Sequence, residues 1–244
     1  MSPMLIIAKR EFRSYFDSPL AYVVICLSFC ALGVLFFVMG GFWQADRASL
    51  EKMFDYTPWG LCLAVVPVIT MRLLAEERRT GTLEMLITLP VKDSDVIMGK
   101  YLGALGLVLT LILATVIYPL AMFWWPWNLG PIDRQALLAG YLGLVLLSAA
   151  AVAIGLLVSA LTESQAVAFF ITLIVLVLLW WVAGAGGRLL SGWPGDSLNY
   201  VSFERRLDGF TKGLIDTRDV VFFLSVAVLA LILAFRALER RKWA

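Results

Sequence analysis

Six apolar runs, at Leu20 to Gly41, Thr57 to Ala75, Gly103 to Trp124, Gln135 to Leu161, Ala166 to Val182 and Val220 to Phe235, govern what this chain can fold into. About 20 residues of α-helix, rising 1.5 Å each, cross the hydrocarbon of a bilayer, and each run is near that length. The expected fold is an all-α integral membrane protein with six transmembrane helices in a single domain over residues 1–244. With 61% hydrophobic and 16% charged residues, the spans take roughly half of the chain and leave only short connections. No soluble catalytic domain fits beside them, so any energy source must come from another chain.

Several chemistries are excluded by residue type. The chain has no histidine, so neither an HExxH zinc site nor a Ser-His dyad can be built. Ser94 to Tyr101 is the nearest approach to a phosphate loop, but Ser94 stands for the leading Gly and Tyr101 for the Ser/Thr after Gly99-Lys100. A net charge of +2 gives no reason to expect nucleic acid. Cys26, Cys30 and Cys62 lie in apolar runs and read as small buried hydrophobes. No Asp, Glu, Lys or Arg falls in the interior of any proposed span, Arg72 lying near the end of its run, which weighs against a proton relay or ion-coupled carrier.

Charge and tryptophan set the expected orientation. With both termini in the cytoplasm, the larger share of the 20 Lys and Arg residues falls inside. Trp43, Trp59, Trp124, Trp125, Trp127, Trp180, Trp181 and Trp193 then gather at the outer ends of spans, and only Trp243 lies inside. The basic group Lys9, Arg10, Arg13 precedes a first run too long for a signal-peptide core, so that run is expected to be a retained span. Residues 1–19 read as an amphipathic helix at the cytoplasmic headgroups, with Leu5, Ala8, Phe12, Tyr15 and Phe16 on one side, broken by Asp17-Ser18-Pro19.

Small residues mark places where helices can approach closely. Ala151, Gly155 and Ser159 recur every four residues in span four, for helix packing or a subunit interface, and Gly99 and Gly103 do the same entering span three. Pro67 and Pro119 are expected to kink spans two and three. Over Gly184 to Arg218 two short outer helices are expected, broken at Pro194-Gly195. Tyr200, Phe203, Leu207, Phe210 and Leu214 form an apolar stripe there, with Phe203, Leu207 and Phe210 the candidates for an outer gate or partner contact.

The segment from Glu76 to Lys100 is too charged to span and too regular for a slack linker. Thr80 or Thr82 can cap a short helix with Leu83, Leu86 and Ile87 as its apolar stripe, stopped by Pro90. The pattern Glu76-Glu77-x-Arg79-x-Gly81-Thr82-x-Glu84-x-Leu86, then Pro90-Val91 and Gly99-Lys100, resembles the first cytoplasmic loop of ABC transporter membrane subunits of the type-2 exporter kind. Phe16-Asp17-Ser18-Pro19-Leu20-Ala21-Tyr22, Gly213 to Val220 and Leu238 to Trp243 look most like the gliding-motility-associated permeases of that family.

That resemblance implies a non-enzymatic permease subunit of a bacterial cytoplasmic (inner) membrane exporter, with a coupling helix in the loop 76–100 and re-entrant helices over 184–218. It implies contact with an ABC ATPase subunit through Glu76, Glu77, Arg79, Gly81, Thr82, Glu84, Leu86 and Pro90. ATP and magnesium would be held by that ATPase, with no cofactor in this chain. A second permease copy or similar subunit, the lipid bilayer and an extracytoplasmic auxiliary protein complete the expected partners. The alternative is a membrane anchor that moves no cargo and transmits force from the same ATPase to an envelope or extracytoplasmic machine.

Overall fold

The computed structural model describes residues 2–39, 50–79, 81, 92–123, 133–189 and 192–240. Five helices are long and apolar enough to cross a membrane: Lys52–Arg79, Asp93–Ala121, Arg134–Leu161, Gln165–Leu189 and Thr217–Arg240. They are spans two to six. Pro3–Asp17 and Tyr22–Val38, bent by 74° at their junction, make a further apolar pair whose second member is span one. The described residues contain no strand, and the chain is an all-α integral membrane protein.

Each helix from span two to span six overruns its apolar sequence run. Span two starts several residues before Thr57, and span three begins at Asp93, about three turns before Gly103. Asp93 and Asp95 sit in its first turn, where carboxylates complement the helix dipole, so hydropathy alone places the start too late. Within the segment 76–100, Ala75–Arg79 ends span two as helix and Asp93 opens span three, so the connection between the two spans is 80–92, most of which, with the expected helix before Pro90, lies outside the described residues.

Span four is the centre of the bundle. Among its buried residues are Gly140, Gly143, Ala151, Gly155 and Ser159, the small-residue face against which the neighbours pack. A β-carbon at Gly140 would meet the Phe54 ring at 2.7 Å, and one at Gly143 would meet Phe210 Cβ at 2.8 Å and Leu207 Cδ1 at 2.9 Å. Without a hydrophobic drive between helices in lipid, this close approach is what holds them. Spans five and six keep large exposed apolar faces, including Phe170, Ile174 and Leu178 on the former and Val228, Leu229 and Ile232 on the latter.

Each expected kink coincides with a local irregularity of the helix one turn before the proline. Pro119 removes the donor that Thr115 would have received, and span three turns at Thr115-Val116, between Asp93–Ala114 and Ile117–Phe123. In span two a π-helical turn, Leu61–Val65, precedes Pro67. Cys26 and Cys30 are exposed along span one, against the expectation of burial, because lipid takes the place of a protein core there; Cys62 is buried.

The N-terminal helix does not commit its apolar stripe to lipid. Gly99, Gly103 and Gly106 form a notch in span three, and Ile7, Glu11 and Phe12 fill it: a β-carbon at Gly99 would lie 2.7 Å from Ile7 Cβ, and one at Gly103 would lie 2.6 Å from Glu11 Cβ. Tyr15 is buried at the end of the same face and donates to the Ile69 carbonyl of span two at 3.3 Å.

Candidate functional site

The end of span two is pinned to the rest of the bundle at three points, and each begins with a local need of the backbone or of a charge. Span two breaks at residues 71–74, which leaves the Leu74 and Ala75 amides without intrahelical acceptors. Ser159 Oγ on span four accepts both, at 3.0 and 3.1 Å. Gly155, one turn earlier, lets Thr70 lie directly against span four, since a β-carbon there would overlap Thr70 Oγ1 and sit 2.6 Å from Thr70 Cβ. Ala151 is buried below them.

The second pin is Arg78. Its guanidinium donates to the Thr162 carbonyl at 3.1 Å and to the Ala160 carbonyl, both at the end of span four. Helix C-termini carry unpaired carbonyls and partial negative charge, so a guanidinium fork satisfies them well. Sequence alone does not single out Arg78. Nothing local distinguishes it from Arg79, which is exposed.

The third pin is a buried lysine. Lys100 Nζ lies 2.6 Å from Glu11 Oε1 of the N-terminal helix and 2.7 Å from Glu77 Oε1 at the end of span two. The lysine side chain is 2% exposed and the two glutamates 21% and 20%. An ammonium so enclosed is tenable only with such partners. Lys100 thus ties together three segments remote in sequence; the sequence marks Gly99-Lys100 as part of the family pattern but does not show that the lysine is buried or which carboxylates it meets. The adjacent Tyr15 hydroxyl is held neutral, its pKa raised first by burial and then by the Glu11 carboxylate.

Of the residues assigned to ATPase contact, four are described. Glu76 pairs with Arg72 one turn back at 2.9 Å, Glu77 turns into the bundle, Arg79 faces out, and Gly81 adopts φ +70°, a left-handed conformation open to glycine. Thr82, Glu84, Leu86 and Pro90 lie outside the described residues. The cluster therefore divides: Glu77 is spent inside the chain, while Arg79 points away from it.

At the opposite end of the bundle two short helices, Trp193–Val201 and Phe203–Thr211, cover span four and span six. The break before them falls at Gly192, φ +83°, and not at Pro194-Gly195. Pro194 sits in the first turn, where its missing N–H costs nothing. The anticipated stripe is likewise interrupted by Ser202, which caps the second helix by accepting from the Arg205 amide at 3.4 Å. Phe203, Leu207 and Phe210 are buried against Gly143, Phe222 and Phe223, whereas Tyr200 and Leu214 are exposed.

Arg206 fastens this pair to span six, 2.6 Å from Asp219 and over the Tyr200 ring at 4.2 Å. Trp59 of span two and Trp181 of span five meet edge to face at 5.7 Å at the same end of the bundle. An open cavity of about 520 Å³ lies beside them, walled by Trp59, Trp180 and Leu207 with Arg188, Glu204 and Arg205 at its rim. Trp43, Trp124, Trp125, Trp127 and Trp243 lie outside the described residues.

A protein-family model described as ABC-2 family transporter protein matches residues 53–188, more than half of the chain, from the beginning of span two to the end of span five. The matched stretch contains all three pins except Glu11. No curated protein matches the chain.

Proposed function

The chain belongs to the ABC-2 family of transporter proteins, and from that premise we propose that it is the permease of an exporter worked by a separate ATPase subunit. The observation that carries this reading is the pinned end of span two. The connection 80–92 follows Arg79 directly in sequence, so in this reading a pull on it reaches Glu77, Arg78 and the Leu74 and Ala75 amides within a few residues. Through them it reaches span four, span three and the N-terminal helix. Rigid packed helices with discrete contacts are what a two-state coupling needs.

In this reading Leu86, Glu84 and Arg79 face the ATPase, while Glu77 and Lys100 transmit its motion. Resemblance to the family further suggests a second copy or similar subunit across spans two and five. The exposed Phe170, Ile171, Ile174 and Trp181 of span five provide an apolar face for it. Charge bias and tryptophan placement put both termini on the cytoplasmic side, and the family resemblance implies a bacterial inner membrane.

The second reading, force transmission to an envelope machine in the manner of the gliding-motility-like subtype, draws on the far-end helices. Trp193 is 81% exposed and Tyr200 64%, both outside the spans, an aromatic surface suited to a protein partner. Co-purification after mild solubilisation distinguishes the two. Permease function requires an ATPase that accompanies the wild-type chain and is lost from Leu86→Asp; force transmission requires in addition a partner lost from Trp193→Asp. Undiminished ATPase recovery with Leu86→Asp would overturn the role of the linker.

A further inference from the structure

The outward side of the N-terminal helix carries charge that no other described residue answers. Lys9, Arg10 and Arg13 are all exposed, and among the described residues none has an acidic partner. Glu11 is turned inward to Lys100, so the outward face keeps only Asp17, at its end, against three cations. Leu5 and Ile6, about half exposed, precede the cations on the same side. The helix is held in place by protein, with Ile7 and Phe12 in the glycine notch of span three, and is followed after a 74° bend by span one.

We propose that this face is a docking surface for the headgroups of anionic phospholipids. Charge complementarity selects the occupant: a bilayer lies beside the helix wherever span one enters it, and anionic lipid is the counter-charge that such a surface offers. An open groove of about 600 Å³, lined by Ile6, Lys9, Arg10, Arg13, Ser14 and Asp17, gives a phosphodiester three cationic donors, with Ile6 as the one apolar side chain beside them. Long Lys and Arg stems lie along lipid while their heads reach the phosphates, and each basic residue near an anionic surface strengthens binding about fivefold. Because the opposite face is fixed on span three, lipid binding here does not require the helix to unpack. The proposal rests on the membrane fold alone and does not depend on an ATPase partner.

The test is native mass spectrometry of the purified full chain in a neutral detergent, titrated with phosphatidylglycerol and, separately, phosphatidylcholine. Wild type should bind phosphatidylglycerol at least about tenfold more tightly. The Lys9→Gln/Arg10→Gln/Arg13→Gln variant should lose that preference, and Lys212→Gln/Arg218→Gln at the other end should keep it. Circular dichroism checks that the triple variant folds; should it not, Arg13→Glu alone must still lower the preference severalfold. Equal binding of the two lipids by wild type, or a preference that survives in the triple variant, overturns the proposal. So does a triple variant that keeps its lipid preference but sheds a co-purifying protein, which would make the face a protein contact.

Discussion

Glu77 and Lys100 meet across the mouth of the linker 80–92, their charged atoms 2.7 Å apart, so the two ends of the connection between spans two and three are joined inside the bundle. The helices on either side of the connection are therefore clamped to each other. Removing the lysine charge leaves Glu11 and Glu77 facing one another with little water. Lys100→Met should lower stability by about 3 kcal/mol, as for one partner removed from a buried pair, read as a fall in thermal midpoint in detergent. The triple variant Glu11→Gln/Glu77→Gln/Lys100→Met should recover most of it. A triple variant no more stable than Lys100→Met would show that the clamp is not electrostatic.

Ser159 serves two amides at a helix break, which predicts a local signature. Ser159→Ala should cost about 1–3 kcal/mol, the range for leaving a buried donor unsatisfied, and should speed hydrogen exchange at Leu74 and Ala75 more than elsewhere in span two. Unchanged exchange at those two amides would mean that Ser159 is only a small residue filling space.

The close approach at Gly155 makes a paired test. Gly155→Ala drives a methyl group into Thr70 and should destabilise by about 1–3 kcal/mol. Thr70→Gly in the same chain should relieve most of the clash, while Thr70→Ser, which keeps Cβ and Oγ, should not. Equal effects of the two second-site changes would remove Thr70 as the obstructing residue.

How far the sequence was legible depends on the range of the signal. The apolar runs, the glycine notch at Gly99 and Gly103 and the periodic Phe203, Leu207, Phe210 are local patterns, and each marks a real packing face. Lys100 is not local: its partners stand 89 and 23 residues away, and no neighbouring residue announces its burial. Cys26 and Cys30 show a second limit, because lipid and protein interior are equally apolar, so hydropathy does not say which side of a span faces which. Sequence points to a break at Pro194-Gly195 and the structure has it at Gly192, because proline stops helices in their interior but is welcome in their first turn.

Orientation is open to chemical labelling. On a background lacking Cys26, Cys30 and Cys62, cysteine at Asp208, an exposed position, should react with an impermeant thiol reagent added to intact cells. Cysteine at Ser94, exposed in the first turn of span three, should react only after the membrane is opened. The reverse pattern would invert the assignment of the termini and of the linker.

Arg206 decides whether the far-end helices are a fixed cap or a loose tether. Its guanidinium pairs with Asp219 while lying over Tyr200 and 5.0 Å from the Phe222 ring, so charge and stacking act through one planar group. Lysine can keep the charge but loses both the fork and the flat face. Amide exchange across Phe203–Thr211 should be slow in the wild type, faster by about tenfold in Arg206→Lys and faster still in Arg206→Ala, with spans two to five unchanged. The ordering matters more than the size, because a purely electrostatic attachment would make lysine equivalent to arginine. Fast exchange in the wild type would show that burial of Phe203, Leu207 and Phe210 does not hold the cap in place.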